Sequence, residues 1–181
     1  MLKAGGSQIS QVIGNVDTSN IMEFIQSLPD KAWDEFTVRQ DKHGPHKYTK
    51  TIGGIYPELD EYPKIGARTF TYTEELAVLY EPIYKMFCDF YDKSFAVTAA
   101  LVVRMPPNSN IDVHIDEHNY FGEAHRVHWC LGAEYDKLDF RILDHKIKME
   151  QGNVVYINNR LPHSATYKGK KPRYNLIIDF L

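Results

Sequence analysis

Apolar residues recur at helical spacing in the first half of the chain and alternate with polar ones in the second. Ile21, Phe24, Ile25 and Leu28 stand at i, i+3, i+4 and i+7 behind the capping-type residues Thr18 and Ser19, and Pro29 ends the run. This spacing predicts a short amphipathic helix over 19–28 whose stripe faces a core. A second stripe, Ile83, Met86, Phe87 and Phe90, begins at Pro82 and predicts a helix with the proline in its first turn, where a missing N–H breaks no helical bond. Residues 40–64 carry Gly44, Pro45, Gly53, Gly54, Pro57 and Pro63 with no sustained period. The segment reads equally as a long functional loop or as a poorly signalled hairpin.

From residue 96 onward the texture is β. Eight short runs, 96–105, 111–115, 126–132, 140–143, 146–149, 153–157, 163–167 and 173–180, are separated by Pro, Gly, Asn and Asp. Closely spaced strands without helical patterns between them argue against βαβ winding, and eight is the number a double-sheet jelly roll uses. The expected fold is mainly β with N-terminal helices: a double-stranded β-helix, or cupin-like jelly roll. One domain spans 1–181, with 1–95 as a helix-containing support and entrance loop and 96–181 as the jelly-roll core.

Composition narrows the function. At 181 residues the chain can bury about 70% of its unfolded surface, and 43% hydrophobic with 25% charged residues excludes global disorder. A net charge of −3 without a large basic block gives no footprint for nucleic acid. Cys88 and Cys130 cannot build a disulfide framework or a zinc-binding pair of C-x-x-C type. No apolar run approaches the ~20 residues of a membrane span, and no leader-like pattern opens the chain, so a soluble, cytoplasmic protein is expected.

Metal-competent side chains cluster at His114, His118, His125 and His128. In Val113-His114-Ile115-Asp116 the two-residue period of a strand sends His114 and Asp116 to one face. Chance alone would supply about 0.6 such His-x-Asp tripeptides, so the motif needs a third ligand. His163 is a candidate, since it opens a later strand that can return antiparallel beside His114. Two imidazoles and a carboxylate on one side of a metal, with open positions opposite, suit non-haem Fe(II), whereas zinc prefers a tetrahedral nitrogen and sulfur set. Read as ordinary strand residues, the same histidines would bond to backbone or water.

The arginines add an anion to the picture. Arg173 begins an apolar strand on which Arg173, Asn175, Ile177 and Asp179 share a face, and a guanidinium turned into a barrel needs an anionic partner. Arg126 and His128 alternate with Val127 and Trp129, which places two donors on one side of the strand after the His-x-Asp motif. A dicarboxylate near the metal fits two separated cationic groups; a surface salt bridge is the alternative for Arg126. Trp129 reads as core, and His118 and His125 as loop histidines.

In the order of its motifs the chain resembles the Fe(II) and 2-oxoglutarate dependent dioxygenases, in particular their aspartyl/asparaginyl β-hydroxylase-like branch. The resembling stretches are 103–107, 111–116, 125–128 and 152–157, followed by His163 and Arg173. The resemblance implies that His114, Asp116 and His163 bind iron, that Arg173 holds the far carboxylate of 2-oxoglutarate, and that Arg126 and His128 lie near this co-substrate. It also implies O₂-dependent hydroxylation of an amino-acid or peptidyl C–H bond, with succinate and CO₂ as co-products. Some members lack the carboxylate ligand; this chain keeps Asp116. Residues 1–95 carry none of the resembling motifs, and 40–64, with Tyr48, Tyr56 and Tyr62, would serve as a substrate entrance or lid. The competing readings are a jelly-roll metalloenzyme that does not use 2-oxoglutarate, and a non-catalytic jelly-roll binding module.

Overall fold

A computed structural model describes residues 8–37, 44–59 and 66–181. Two antiparallel sheets face one another. The larger has seven strands, in spatial order β1 (Ser10–Asn15), β9 (Asn153–Ile157), β6 (His125–Gly132), β11 (Arg173–Phe180), β4 (Val97–Met105), β2 (Lys50–Pro57) and β3 (Ala67–Thr69). The smaller runs β5 (Ser109–His114), β10 (His163–Tyr167), β7 (Leu138–Ile142) and β8 (His145–Lys146). Helices α1 (Ser19–Ser27) and α2 (Thr73–Tyr91) cover the outer face of the large sheet, and a short α3 (Asn119–Glu123) precedes β6. The expected jelly roll is present.

Strand parity divides the interior into two cores. On β6 and β11, Val127, Trp129, Leu131, Leu176, Ile178 and Phe180 point outward and pack with Ile21, Ile25, Leu76, Ile83 and Phe87 of the helices. The opposite face brings Met105, Cys130, Val155 and Ile157 against Leu138, Phe140, Ile142, Ala165 and Tyr167 of the small sheet. Buried apolar side chains on both faces of the large sheet remove most of its area from water, which is the dominant favourable contribution to folding. The site lies between the two sheets, at the end where β5, β6, β10 and β11 leave room beside this inner core.

The first helix appears over Ser19–Ser27, as its spacing predicts. The second is longer than predicted. It begins at Thr73, so that Pro82 lies in its interior and not its first turn, and it ends at Asp92 in the left-handed region with φ 54°. Pro82 deprives the Val78 carbonyl of its helical N–H, but Val78 is 75% exposed, so water can satisfy that turn.

Three strands before residue 96 escape the sequence pattern. In the segment 40–64, residues Lys50–Pro57 form β2 and pair with β3 as a hairpin, which answers the loop-or-hairpin question for that part; 40–43 and 60–64, Tyr62 among them, lie outside the described residues. β2 is an interior strand of the large sheet with Tyr56 buried, so this stretch is structural framework and not a lid. Its alternation is hidden because both its faces are covered and because the register slips between Gly53 and Ile55. At Gly54 a Cβ would come within 3.2 Å of the Ala100 carbonyl, so a side chain there would press on the closely approaching β4 backbone. Among the described residues no helix is long and apolar enough to cross a membrane.

Candidate metal centre and anion pocket

β5 and β10 pair antiparallel with His114 opposite His163, and Asp116 follows two residues beyond His114. One ligand atom from each of His114, Asp116 and His163 lies within 4.8 Å of the others. The antiparallel return foreseen from sequence therefore closes the triad. The ladder is irregular there: between His163 and Ala165 the partner moves from His114 to Ile111, a bulge that re-aims the ends of both strands.

Each imidazole is oriented by the backbone two residues before it. His114 Nδ1 lies 2.8 Å from the Asp112 carbonyl and His163 Nδ1 lies 2.9 Å from that of Leu161. A carbonyl only accepts, so each Nδ1 carries a proton, and Nε2 is the ring atom left for a metal. His114 Nε2 is buried without a hydrogen-bond partner among the described residues. Burial pushes the His163 pKa down to about 4, although Asp116 acts the other way, so this ring is neutral at physiological pH.

Asp116 is held by several groups. Its Oδ2 accepts from Arg126 Nη1 and, at 2.8 Å, from Asn159 Nδ2, while its own backbone N–H donates to the Asn159 carbonyl at 3.2 Å. Oδ1 stands 4.0 Å from His114 Nε2. Burial alone would raise the carboxyl pKa, but Arg126, His163, Asn159 and His114 together hold it below the usual range. The donor set is two imidazole nitrogens and one carboxylate oxygen, without thiolate. It fits Fe(II) with open positions.

The triad opens on a pocket, partly continuous with solvent, whose lining also includes Arg173. This side chain is 2% exposed, and among the described residues its Nε and Nη2 are buried with no hydrogen-bond partner, while Nη1 lies 3.9 Å from the Met105 sulfur. Burial lowers its pKa, and the groups acting the other way, Cys130, Tyr135 and Tyr167, include no carboxylate. Asn175 and His128 line the same pocket, 3.4 Å apart between Nδ2 and Nδ1.

The remaining predicted residues separate clearly. Arg126 reaches the pocket, but its Nε and Nη2 donate to the two oxygens of Asp179 at 2.7 Å each, so its main partners are carboxylates of the protein itself, in a buried and not a surface ion pair. Trp129 is core, 2% exposed. His125 is no loop residue: it opens β6, is buried, and packs against Phe87, Tyr91 and Phe95. His118 caps α3, accepting from the Tyr120 N–H at 3.1 Å. Sequence reasoning missed Asn159, and also His46, a pocket residue whose ring meets that of His114 edge-on at 4.9 Å.

A jelly roll with a His-x-Asp and distal His triad at one end of its barrel is the architecture of the 2-oxoglutarate and Fe(II) oxygenases. The chain belongs to the aspartyl/asparaginyl β-hydroxylase family, whose profile, described as Aspartyl/Asparaginyl beta-hydroxylase, matches residues 30–181. The match extends well before residue 96, into the part without resembling motifs. No curated protein matches the chain in sequence. Among solved structures it is similar to an oxidoreductase of the 2OG-Fe(II) oxygenase family from Burkholderia pseudomallei, with TM-score 0.62, 14% identity, and coverage of 90% of this chain and 76% of the other. It is also similar to the non-heme monooxygenase ThoJ in its nickel complex, with TM-score 0.58, 11% identity and coverage of 94% and 72%. The non-heme alpha ketoglutarate dependent epimerase SnoN from nogalamycin biosynthesis gives TM-score 0.56, 12% identity and coverage of 94% and 76%. At these identities the likeness is one of fold.

Proposed function

We propose that the protein is an Fe(II)- and 2-oxoglutarate-dependent dioxygenase that hydroxylates a C–H bond of an amino-acid or peptidyl substrate, releasing succinate and CO₂. The observation that carries this reading is the buried guanidinium of Arg173, whose Nε and Nη2 have no hydrogen-bond partner among the described residues, in the same pocket as the triad. A buried charge without a partner is costly, and the planar fork of arginine matches a carboxylate in two parallel bonds. A jelly-roll metalloenzyme with no dicarboxylate to hold leaves that cost uncompensated.

His114, Asp116 and His163 would hold the iron, and Arg173 the far carboxylate of 2-oxoglutarate, with His128 and Asn175 beside it. Bound there, iron and 2-oxoglutarate supply O₂ activation coupled to oxidative decarboxylation, which makes an unactivated C–H bond reactive. The chain's own residues do the positioning. The Asp112 and Leu161 carbonyls leave Nε2 of each ring for a metal, Asp116 offers Oδ1, and Val103, Phe140 and Ile177 supply apolar wall that limits water around Arg173.

Succinate release tests the proposal across a panel of free amino acids and short peptides, with mass spectrometry of the products. One class should stimulate release in proportion to a product gaining a single oxygen atom, only with Fe(II) and 2-oxoglutarate both present. Turnover that proceeds equally without 2-oxoglutarate would contradict it.

A further inference from the structure

We propose that Arg126 is a positioning residue for Asp116 and not a ligand of the co-substrate: with Asp179 and Asn159 it fixes the carboxylate so that only Oδ1 is presented to the metal. The inference rests on the metal-centre reading above and concerns how that centre is held. Arg126 is 8% exposed and Asp179 1%, so neither charge is solvated, and each depends on the other. Asp179 takes the Nε and Nη2 edge of the guanidinium in two parallel bonds of 2.7 Å, which fixes the plane of the fork and leaves Nη1 directed at Asp116 Oδ2. Asn159 donates to the same oxygen at 2.8 Å.

Both donors therefore converge on Oδ2, while Oδ1 faces the His114 Nε2 side. A carboxylate left to rotate could give a metal either oxygen or both. Here rotation would break a charge-assisted bond and an amide bond together. The clamp is itself braced. Tyr120 donates to Asp179 Oδ2 at 3.3 Å, Thr98 and Tyr120 share a 2.6 Å hydrogen bond, and the guanidinium lies 4.9 Å from the Phe121 ring centroid. Register explains the pairing, since Arg126 on β6 lies opposite Asp179 on β11. Arg126 thus does for the carboxylate what the Asp112 and Leu161 carbonyls do for the imidazoles, holding the atom that faces away from the metal.

Calorimetric titration with Mn(II) alone, followed by 2-oxoglutarate at saturating Mn(II), tests this on the wild type, Asn159→Ala, Asp179→Asn and the double variant Arg126→Gln/Asp179→Asn. The double variant removes both buried charges together and so avoids leaving one of them unpaired. Its Mn(II) affinity should fall roughly 10- to 100-fold, with a smaller loss in each single variant, while 2-oxoglutarate affinity at saturating metal stays within about threefold of wild type. Unchanged Mn(II) affinity overturns the clamp, as does retained metal affinity with 2-oxoglutarate binding lost, which would assign Arg126 to the co-substrate. If circular dichroism shows the double variant unfolded, the two single variants decide by the same criteria. Failure of the wild type to bind Mn(II) would instead overturn the metal-centre reading itself.

Discussion

His163 lies directly across the β5–β10 ladder from His114, with ring centroids 4.2 Å apart. Forty-eight residues lie between them in the sequence, yet one strand pairing places both imidazoles on the same side. Rigid strands suit this purpose because neither ring has to be carried on a mobile loop.

Replacing His114, Asp116 or His163 singly by alanine is expected to abolish measurable Mn(II) binding and turnover while leaving the fold intact. Each substitution removes one of three ligands, and none of the three belongs to the apolar clusters. Calorimetry together with circular dichroism of each variant checks this. A variant that binds metal normally does not carry a ligand.

The metal-free protein should lose stability in mild acid through His163. Its folded pKa of about 4 lies below the ordinary 6.5, so the unfolded chain binds more protons between those values. The folded state is thus favoured above about pH 6.5 and loses that advantage as pH falls toward 4, by roughly 2 kcal/mol at about pH 5. Asp116, held below the usual carboxylate range, adds a further loss only in stronger acid. Urea unfolding at about pH 7.5 and about pH 5, with EDTA, should show a drop for wild type that is smaller by about this amount in His163→Gln. Equal drops in the two proteins would contradict the assignment.

Those two ligand histidines and Asp116 could be read from sequence because strand parity is a local property: His114 and Asp116 share a face wherever the strand goes. Arg173 followed from the same rule, its inward direction set by the outward Leu176, Ile178 and Phe180. The partner of Arg126 was less accessible. Asp179 was placed on the inner face with Arg173, but only the β6–β11 register shows that it stands opposite Arg126. Asn159 and His46 carry no periodic signal at all, since they reach the site from a turn and a short helical segment through tertiary packing. β2 was obscured for a physical reason too, its two covered faces and its bulge at Gly53–Gly54 removing the alternation that marks a half-buried strand.

Gly152 offers a test of the framework separate from the chemistry. It has φ +81°, and a Cβ there would meet Asn15 Nδ2 at 2.8 Å and the Val16 carbonyl at 2.9 Å. Its backbone also ties three elements together, donating to the Cys130 carbonyl at 2.8 Å and accepting from the Val16 N–H at 2.9 Å. Gly152→Ala should therefore destabilise by about 1 to 3 kcal/mol with unchanged Mn(II) affinity. Denaturant unfolding measures the first quantity and calorimetry the second.

Binding of 2-oxoglutarate between the metal and Arg173 is measured by anaerobic titration of 2-oxoglutarate into the Mn(II)-loaded protein, with Arg173→Ala and Arg173→Lys alongside. Charge-assisted bonds of this type contribute about 1.5 to 3 kcal/mol each, so Arg173→Ala should raise the Kd by roughly tenfold to several hundred-fold and leave Mn(II) affinity unchanged. Arg173→Lys should recover only part of the loss, because an ammonium keeps the charge without the fork. One equivalent bound by wild type with metal, and far weaker binding by Arg173→Ala, is the expected result. Normal 2-oxoglutarate affinity in Arg173→Ala, or no binding by the metal-loaded wild type, would contradict the account.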